Sequence, residues 1–483
     1  MSFTVYTFLF IFTTTVLFYG LRKEARPYIL LAASLLYVSQ IDRRAIIALI
    51  VSMVFVYGAG LFMRFLLKKR KQYLKPVFIF SISVFVFILW AMKFQDQIFP
   101  LMEPHLSFMA KELLWQALVL PVGFSYYAFQ SVSYLADIYR GKCEAETNFF
   151  HFALYLCFFP KFLSGPIERA ETFLPQVKTL RDVRLFENDR LPQAFSYLLY
   201  GFFMKTVVAD RLAPVKEALF ADYMQHGSLW LFIGSLLYTM QLYCDFAGYS
   251  AIAIGVGKLL GFELTENFLS PYLSGSISEF WRRWHCSLSS FLRDYVYIPL
   301  GGNRKGAVRR CVNTMIVFLV CGMWHGGGLS FFFWGFLHGC FSIMDYLYRS
   351  RKGAAEKPGF IGHVLTFFAV SFAWIPFGFP KLSDALAYIF RIFTAGSAGT
   401  DFLTEWSMLG VTSFDTFLIP VFLLLVILMD ALSYRTGLSF PAAVEKKHAG
   451  LRYLFYYICI LLIFIFGIYG PAFDPGQFMY MEF

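Results

Sequence analysis

Few residues in this chain could do chemistry, and one is marked out by its neighbours. His325 sits in the run Cys321-Gly-Met-Trp324-His325-Gly326-Gly327-Gly328, at the end of an apolar segment. Flanking glycines let another backbone or a ligand approach closely. An ionisable group in an apolar segment is costly unless it is paired or functional. An imidazole, with an ordinary pKa near ~6.5, accepts a proton at neutral pH, and burial keeps the ring neutral for that task. These residue types describe a general base. They equally describe a structural histidine bonded to a carbonyl in a broken helix.

His285 ends the dense run Glu279-Phe-Trp281-Arg282-Arg283-Trp284-His285. It reads either as a group beside a reaction channel, orienting a second substrate or His325, or as the neighbour of an ion-pair network of Glu279, Arg282 and Arg283 at the membrane face. Asp245, Tyr249 and Asn313 are available to orient an imidazole or a substrate carbonyl, and nothing in the sequence chooses among them. Trp281, Trp284 and Trp324 are aromatic candidates to line a substrate site. Arg282, Arg283, Arg293, Arg304 and Lys305, with Arg309 and Arg310 after them, could gather the phosphates of a polyanionic donor such as coenzyme A. The same cations also read as a positive-inside loop. No P-loop, H-E-x-x-H helix or G-x-S-x-G nucleophile elbow occurs. The eight cysteines form no close C-x-x-C pair and read as small buried hydrophobes, so no metal site is expected. The remaining histidines (His105, His151, His226, His338, His363, His448) have no comparable context.

Groups like these must be held by elements suited to lipid. The chain has 483 residues, 58% hydrophobic and 15% charged, with a mean hydropathy of +0.59. A soluble domain is roughly half apolar and about a quarter charged. So much apolar surface cannot be hidden inside a water-facing globule, which excludes secreted disulfide scaffolds, nucleic-acid modules and disordered tails. The net charge of +11 follows from cations collecting in cytoplasmic loops, and no nucleic-acid partner is expected.

The expected fold is an all-α integral membrane protein of about eleven crossings, each needing ~20 apolar residues. Several apolar runs, among them Leu229–Leu242, Ala251–Leu260 and Val312–Met323, are short. They read as tilted, partial or re-entrant helices buried in protein, because broken backbone cannot face lipid. Positive charges follow the first apolar stretch, Phe3–Gly20, rather than preceding it, so it reads as a retained span. Lys68–Lys71 with Lys75, Arg304–Arg310 and Arg349–Lys352 assign their loops to the cytoplasm. No linker or internal repeat divides the chain. One integral-membrane domain over residues 1–483, with a catalytic core from about residue 115 to 345, is the simplest organisation. A secondary transporter also carries broken helices and intramembrane histidines, but the two matched halves expected of one are not found.

Three stretches resemble the membrane-bound O-acyltransferase family: Trp281-Arg-Arg-Trp-His285, the block Arg293-Asp-Tyr-Val-Tyr-Ile-Pro-Leu-Gly-Gly-Asn303-Arg304, and Met323-Trp-His325-Gly. Supporting pieces are Leu120–Gln130, Phe159–Ile167, Tyr243-Cys-Asp245-Phe-Ala-Gly248-Tyr249-Ser250 and the tail Gln477–Phe483. Within the family they are similar to the branch of the alginate O-acetyltransferase membrane subunit. The resemblance implies a helical bundle enclosing a funnel or tunnel, with His325 as the essential catalytic residue and His285 as the other recurrent polar position. It implies no bound cofactor, and acetyl-CoA as a cytoplasmic donor substrate. It also implies an extracytoplasmic SGNH-type acetyltransferase partner, a polysaccharide acceptor and a bacterial cytoplasmic membrane. The D-alanyl transfer branch for teichoic acids shares both histidine positions but lacks the Tyr-Ile-Pro-Leu-Gly-Gly-Asn-Arg block. Ala251 stands where aspartate commonly follows Gly-Tyr-Ser, and Ala247 where serine is frequent, which puts the acceptor more than the reaction in question.

Overall fold

The computed structural model describes residues 3–103, 107, 109–111, 119–187, 189–352, 359–396, 406, 409 and 411–468. His105 and the tail Gln477–Phe483 lie outside the described residues. Among those described, helices dominate and no strand forms; one isolated bridge joins Phe268 and Trp284.

One compact unit comprises residues 3–194 and 256–265. Its main helices are α1 (Phe3–Gly20), α2 (Arg26–Ile41), α3 (Arg43–Lys69), α4 (Leu74–Lys93), α5 (Phe124–Tyr139), α6 (Phe149–Cys157) and α7 (Ala170–Lys178). Asp42 starts α3 by accepting from the Arg44 N–H at 2.9 Å, the usual remedy for an orphan donor at a helix start. Buried cations tie this unit together through carbonyl oxygens. Arg26 donates to Phe18, Leu180, Arg181 and Val183 oxygens at 2.8–3.3 Å. The Lys161 ammonium reaches Gln130 Oε1 at 2.7 Å and the Tyr155 carbonyl at 2.6 Å. A buried charge is tolerated only when paired and hydrogen-bonded in this way.

The other unit comprises residues 195–255 and 266 onward. Its helices are α8 (Arg190–Phe202, most of it here), α9 (Asp210–Ala221), α10 (Ser228–Leu259), α11 (Ile277–Arg283), α12 (Cys286–Leu292), α13 (Gly306–His325), α14 (Leu329–Lys352), α15 (Phe360–Trp374), α16 (Leu382–Thr394), α17 (Ser413–Thr436), α18 (Phe440–Glu445) and α19 (Ala449–Phe466). A π-helical turn, Phe203–Ala209, links α8 to α9.

α10 corrects the sequence reading, which split it into two short runs. It is one helix of 32 residues, because the polar stretch Gln241–Ser250 serves packing rather than interruption. Asp245 is neutralised by Lys205 at 2.5 Å, which also holds Asp210 at 2.8 Å. Gly248 lets the π-helical segment approach closely: a Cβ there would sit 2.9 Å from the Gly201 carbonyl oxygen and 3.0 Å from the Lys205 nitrogen.

Six helical stretches among the described residues are long and apolar enough to cross a membrane: 43–69, 71–93, 306–325, 360–378, 414–436 and 449–466. Their outward residues, such as Ile47, Phe80, Leu428 and Phe464, are exposed. A water-soluble chain would bury such a set, whereas lipid accepts it.

Candidate active site

His325 closes α13, and the tight α13–α14 hairpin decides where it points. Gly322 and Gly335 face each other there. A Cβ on Gly322 would strike the Phe331 carbonyl oxygen, and one on Gly335 the Phe318 carbonyl oxygen. Small residues at such a crossing let helix backbones come into contact. The chain then leaves α13 in an extended conformation at Gly326, where a side chain would collide with the Phe331 ring. The His325 ring is thereby buried against Trp324, Trp334 and Phe377, with ring centres 4.6, 5.1 and 5.1 Å away.

His285 is held by different means. It separates α11 from α12 with a left-handed backbone, φ 43° and ψ 56°, which a residue with a Cβ rarely adopts. Neighbouring bonds enforce it. Ser276 caps α11 by accepting from the Glu279 N–H, and the Glu279 carboxylate reaches back to the Gly275 N–H, a capping-box arrangement. Leu269 N–H donates to the Arg283 carbonyl and Cys286 N–H to the Asn267 carbonyl, both at 3.0 Å. These two bonds lay the segment 267–269 alongside 283–286 and bring Asn267 to His285. Asn267 Oδ1 lies 3.3 Å from His285 Nδ1 and accepts from the Ser287 N–H at 3.2 Å. His285 Nε2 is buried with no protein partner among the described residues. Burial is the sole cause that pushes the His285 pKa down, to about 3, so the ring is neutral at pH 7.

The two histidines flank one indole. Trp324 has its ring centre 6.4 Å from His285 and 4.6 Å from His325. Forty residues apart in sequence, these imidazoles thus share one aromatic wall, where a neutral ring can take a proton.

The other candidates divide. Trp284 packs on Trp374, Phe268 and Phe280. Trp281 lies against Trp334 and His338. Asp245 does not orient an imidazole through its hydrogen bond, which goes to Lys205. Asn313 likewise serves the backbone: its amide donates to the Gly302 and Leu300 carbonyls at 2.9 and 3.4 Å, fixing the turn after the Arg293–Tyr297 π-helical segment. Tyr249 is half-buried on α10. Of the basic residues, Arg283 pairs with Glu279 at 2.9 Å and lies over the Tyr434 ring, the local ion pair that the sequence allowed. Arg293 pairs with Asp294 at 2.8 Å on the surface. Arg282, Arg304 and Lys305 are exposed.

Sequence reasoning missed several polar groups. His338 is fully buried among Trp281, Trp334 and Trp374, and neither ring nitrogen has a protein partner among the described residues. A small recess, partly open to the surface, is lined by Tyr197, Tyr243, Ser250, Glu266, Asn267 and Asp430 among others. Tyr243 donates to Asp430 at 2.8 Å. Asp430 had a signal, an acid inside the apolar run Phe417–Leu432. Asn267 had none, since it reaches His285 only through backbone pairing.

A family model described as the membrane-bound O-acyltransferase family matches residues 144–351, which include both histidines. The chain is 38% identical over 297 residues to the probable alginate O-acetylase of Pseudomonas syringae pv. tomato, covering 61% of this chain and 55% of the relative. Over residues 144–351 the chain is similar to the membrane-bound O-acyltransferase family. It is also 34% identical over 306 residues to the peptidoglycan O-acetyltransferase of Helicobacter pylori, covering 57% of this chain and 58% of that protein. With the teichoic acid D-alanyltransferase of Streptococcus thermophilus it shares 30% identity over 263 residues, 50% of this chain and 60% of that one. The chain thus spans a little over half the length of the curated relatives it matches. The apolar helices, with the likeness of residues 144–351 to a membrane-bound family, make this a multi-pass, all-α membrane protein.

Proposed function

We propose that the protein is a membrane O-acyltransferase that takes acetyl from cytoplasmic acetyl-CoA and passes it across the bacterial cytoplasmic membrane for O-acetylation of an extracellular polysaccharide. An SGNH-type partner outside the membrane completes the delivery. The observation that carries this reading is the pair of buried histidines on one indole, inside the segment that matches the acyltransferase family. His325 is the base. It takes the proton of an acceptor hydroxyl as that oxygen attacks the thioester carbonyl. The new C–O bond forms, the C–S bond breaks, and the proton passes from the imidazole to the departing thiolate. General-base help of this kind contributes about 10²–10⁴-fold, and the aromatic wall keeps bulk water from the thioester. Arg293, Arg304 and Lys305 are the candidates to meet the donor phosphates: Arg304 and Lys305 are exposed, and the positive charge of their loop favours the cytoplasmic side. The greater identity to acetyl-transferring relatives than to the D-alanyl one favours acetyl as the group moved.

The test uses the full chain in vesicles with its extracytoplasmic partner, acetyl-CoA and polysaccharide. Wild type should release CoA and acetylate the polymer, while His325→Ala, equally expressed, should do neither. A His325→Ala variant with wild-type transfer ends the assignment. Turnover of a D-alanyl carrier in place of acetyl-CoA would move the chain to the teichoic acid branch. Solute flux without thioester consumption would make it a transporter.

A further inference from the structure

We propose that Asn267 is a positioning residue that locks His285 in the Nδ1–H tautomer, leaving Nε2 as a lone-pair acceptor for an O–H or N–H of the bound substrate. This rests on the acyltransferase reading for its catalytic consequence, though not for the tautomer itself.

The argument begins with which end of the amide faces His285. A backbone N–H can only donate, and the Ser287 N–H points at one terminal atom of Asn267 at 3.2 Å, so that atom is the oxygen. The amide nitrogen then faces the Ser250 hydroxyl at 3.3 Å, which accepts from it. The same oxygen lies 3.3 Å from His285 Nδ1, and an amide oxygen holds no hydrogen. The shared proton therefore belongs to Nδ1. A neutral imidazole has one N–H, so Nε2 carries the lone pair.

Nε2 is buried and no protein group among the described residues donates to it. An acceptor left in that condition is destabilising, so its retention beside the His325 wall needs a donor from elsewhere. None of the groups packed on the ring donates to Nε2, and none of them titrates in its place. Phe246 of α10 stands edge-on at 4.7 Å and Trp324 of α13 lies at 6.4 Å. Ser287 of α12 is on the Nδ1 side. Glu266, next to Asn267, is bonded to Tyr197 and Ser439, and Glu279, the nearest acid to His285 in sequence, is paired with Arg283. What fits Nε2 is a neutral donor, a hydroxyl of the acceptor or an amide of the donor's arm. A carboxylate or phosphate does not fit, having only acceptor atoms to offer. The logic is that of a base oriented by a third group behind it.

The experiment uses the full chain in detergent with ¹⁵N-labelled histidine, the His285 signals assigned by their loss in His285→Gln. Wild type should show a protonated Nδ1 and a bare Nε2. Asn267→Leu should lose that preference and lower kcat/KM for acetyl transfer about tenfold, the worth of one hydrogen bond. Asn267→Asp keeps an oxygen for both Nδ1–H and the Ser287 N–H, so it should fold and retain transfer at pH 8. Its carboxylate should raise the His285 pKa by about 1–3 units, visible in the same spectra. Separate KM values for acetyl-CoA and for the acceptor show which substrate supplies the donor atom, since Asn267→Leu should raise only one. A wild-type spectrum with Nε2 protonated overturns the proposal. So does an unchanged tautomer in Asn267→Leu, or unchanged transfer by that variant. If wild type shows the expected tautomer but consumes no thioester, the acyltransferase reading fails while the tautomer assignment stands.

Discussion

Substituting a single glycine by alanine tests whether the α13–α14 crossing sets the position of His325. In Gly335→Ala the new Cβ meets the Phe318 carbonyl oxygen and comes within 3.5 Å of the Gly322 Cα. These are backbone atoms and cannot swing aside as a flexible side chain would. The helices must separate, and overpacking of this kind costs about 1–3 kcal/mol. The separation falls one helical turn from His325 and directly beside Trp334, the ring that faces it. A displacement on the order of 1 Å at a reacting group lowers rates about a hundredfold. Gly58→Ala in α3 is the matched control. Nothing lies within 4 Å of its Cβ, so the change should be neutral or stabilising by about 0.5–1 kcal/mol. Purified protein is assayed by thermal unfolding in detergent and by acetyl-CoA-dependent transfer in vesicles. Gly335→Ala should lose both stability and transfer, and Gly58→Ala neither. Wild-type unfolding and wild-type transfer in Gly335→Ala would refute the claim that this contact fixes the imidazole.

Two further outcomes follow from buried charge. Lys205→Met leaves Asp210 and Asp245 facing each other without their cation, and should destabilise by about 3–5 kcal/mol. The triple variant with both aspartates as asparagine should recover most of the loss, read as unfolding temperature. Glu146 supplies a pH dependence: burial pushes its carboxyl up, but the Asn148 and Thr147 N–H groups and Lys178 together hold it below the ordinary range. A depressed carboxylate contributes stability that is present above its unfolded pKa of about 4.3 and is lost as pH falls through the folded value. Thermal unfolding of wild type should therefore weaken between about pH 5 and pH 3, with a shallower dependence in Glu146→Gln. Equal slopes for the two proteins would remove Glu146 from the account.

Much of the site was legible as a list but not as a place. His325 was marked by an imidazole among glycines in an apolar run, and one of them, Gly322, lies at a backbone crossing. The role of Asp245 and Asn313 was not legible. A polar residue in an apolar helix announces that something pairs with it, not what. Lys205 and the Gly302 carbonyl, the partners found, are reached through packing rather than spacing. Asn267 was invisible because backbone hydrogen bonds carry no side-chain signature. The continuity of α10 was missed for the same reason. Hydropathy registers Asp245 as a break, while its ion pair with Lys205 makes it a contact.

Composition and periodicity by themselves determined that the chain is helical and membrane-embedded, because the free energy of burying apolar surface depends on how much there is and not on its arrangement. They also named both imidazoles, since residue types with acid–base chemistry are rare in such a chain. Only the tertiary structure decided that the two rings share Trp324, that Asn267 stands behind one of them, and that Asp245 and Asn313 are hydrogen-bonded elsewhere. Those are facts of distance and direction, which depend on how helices far apart in sequence cross.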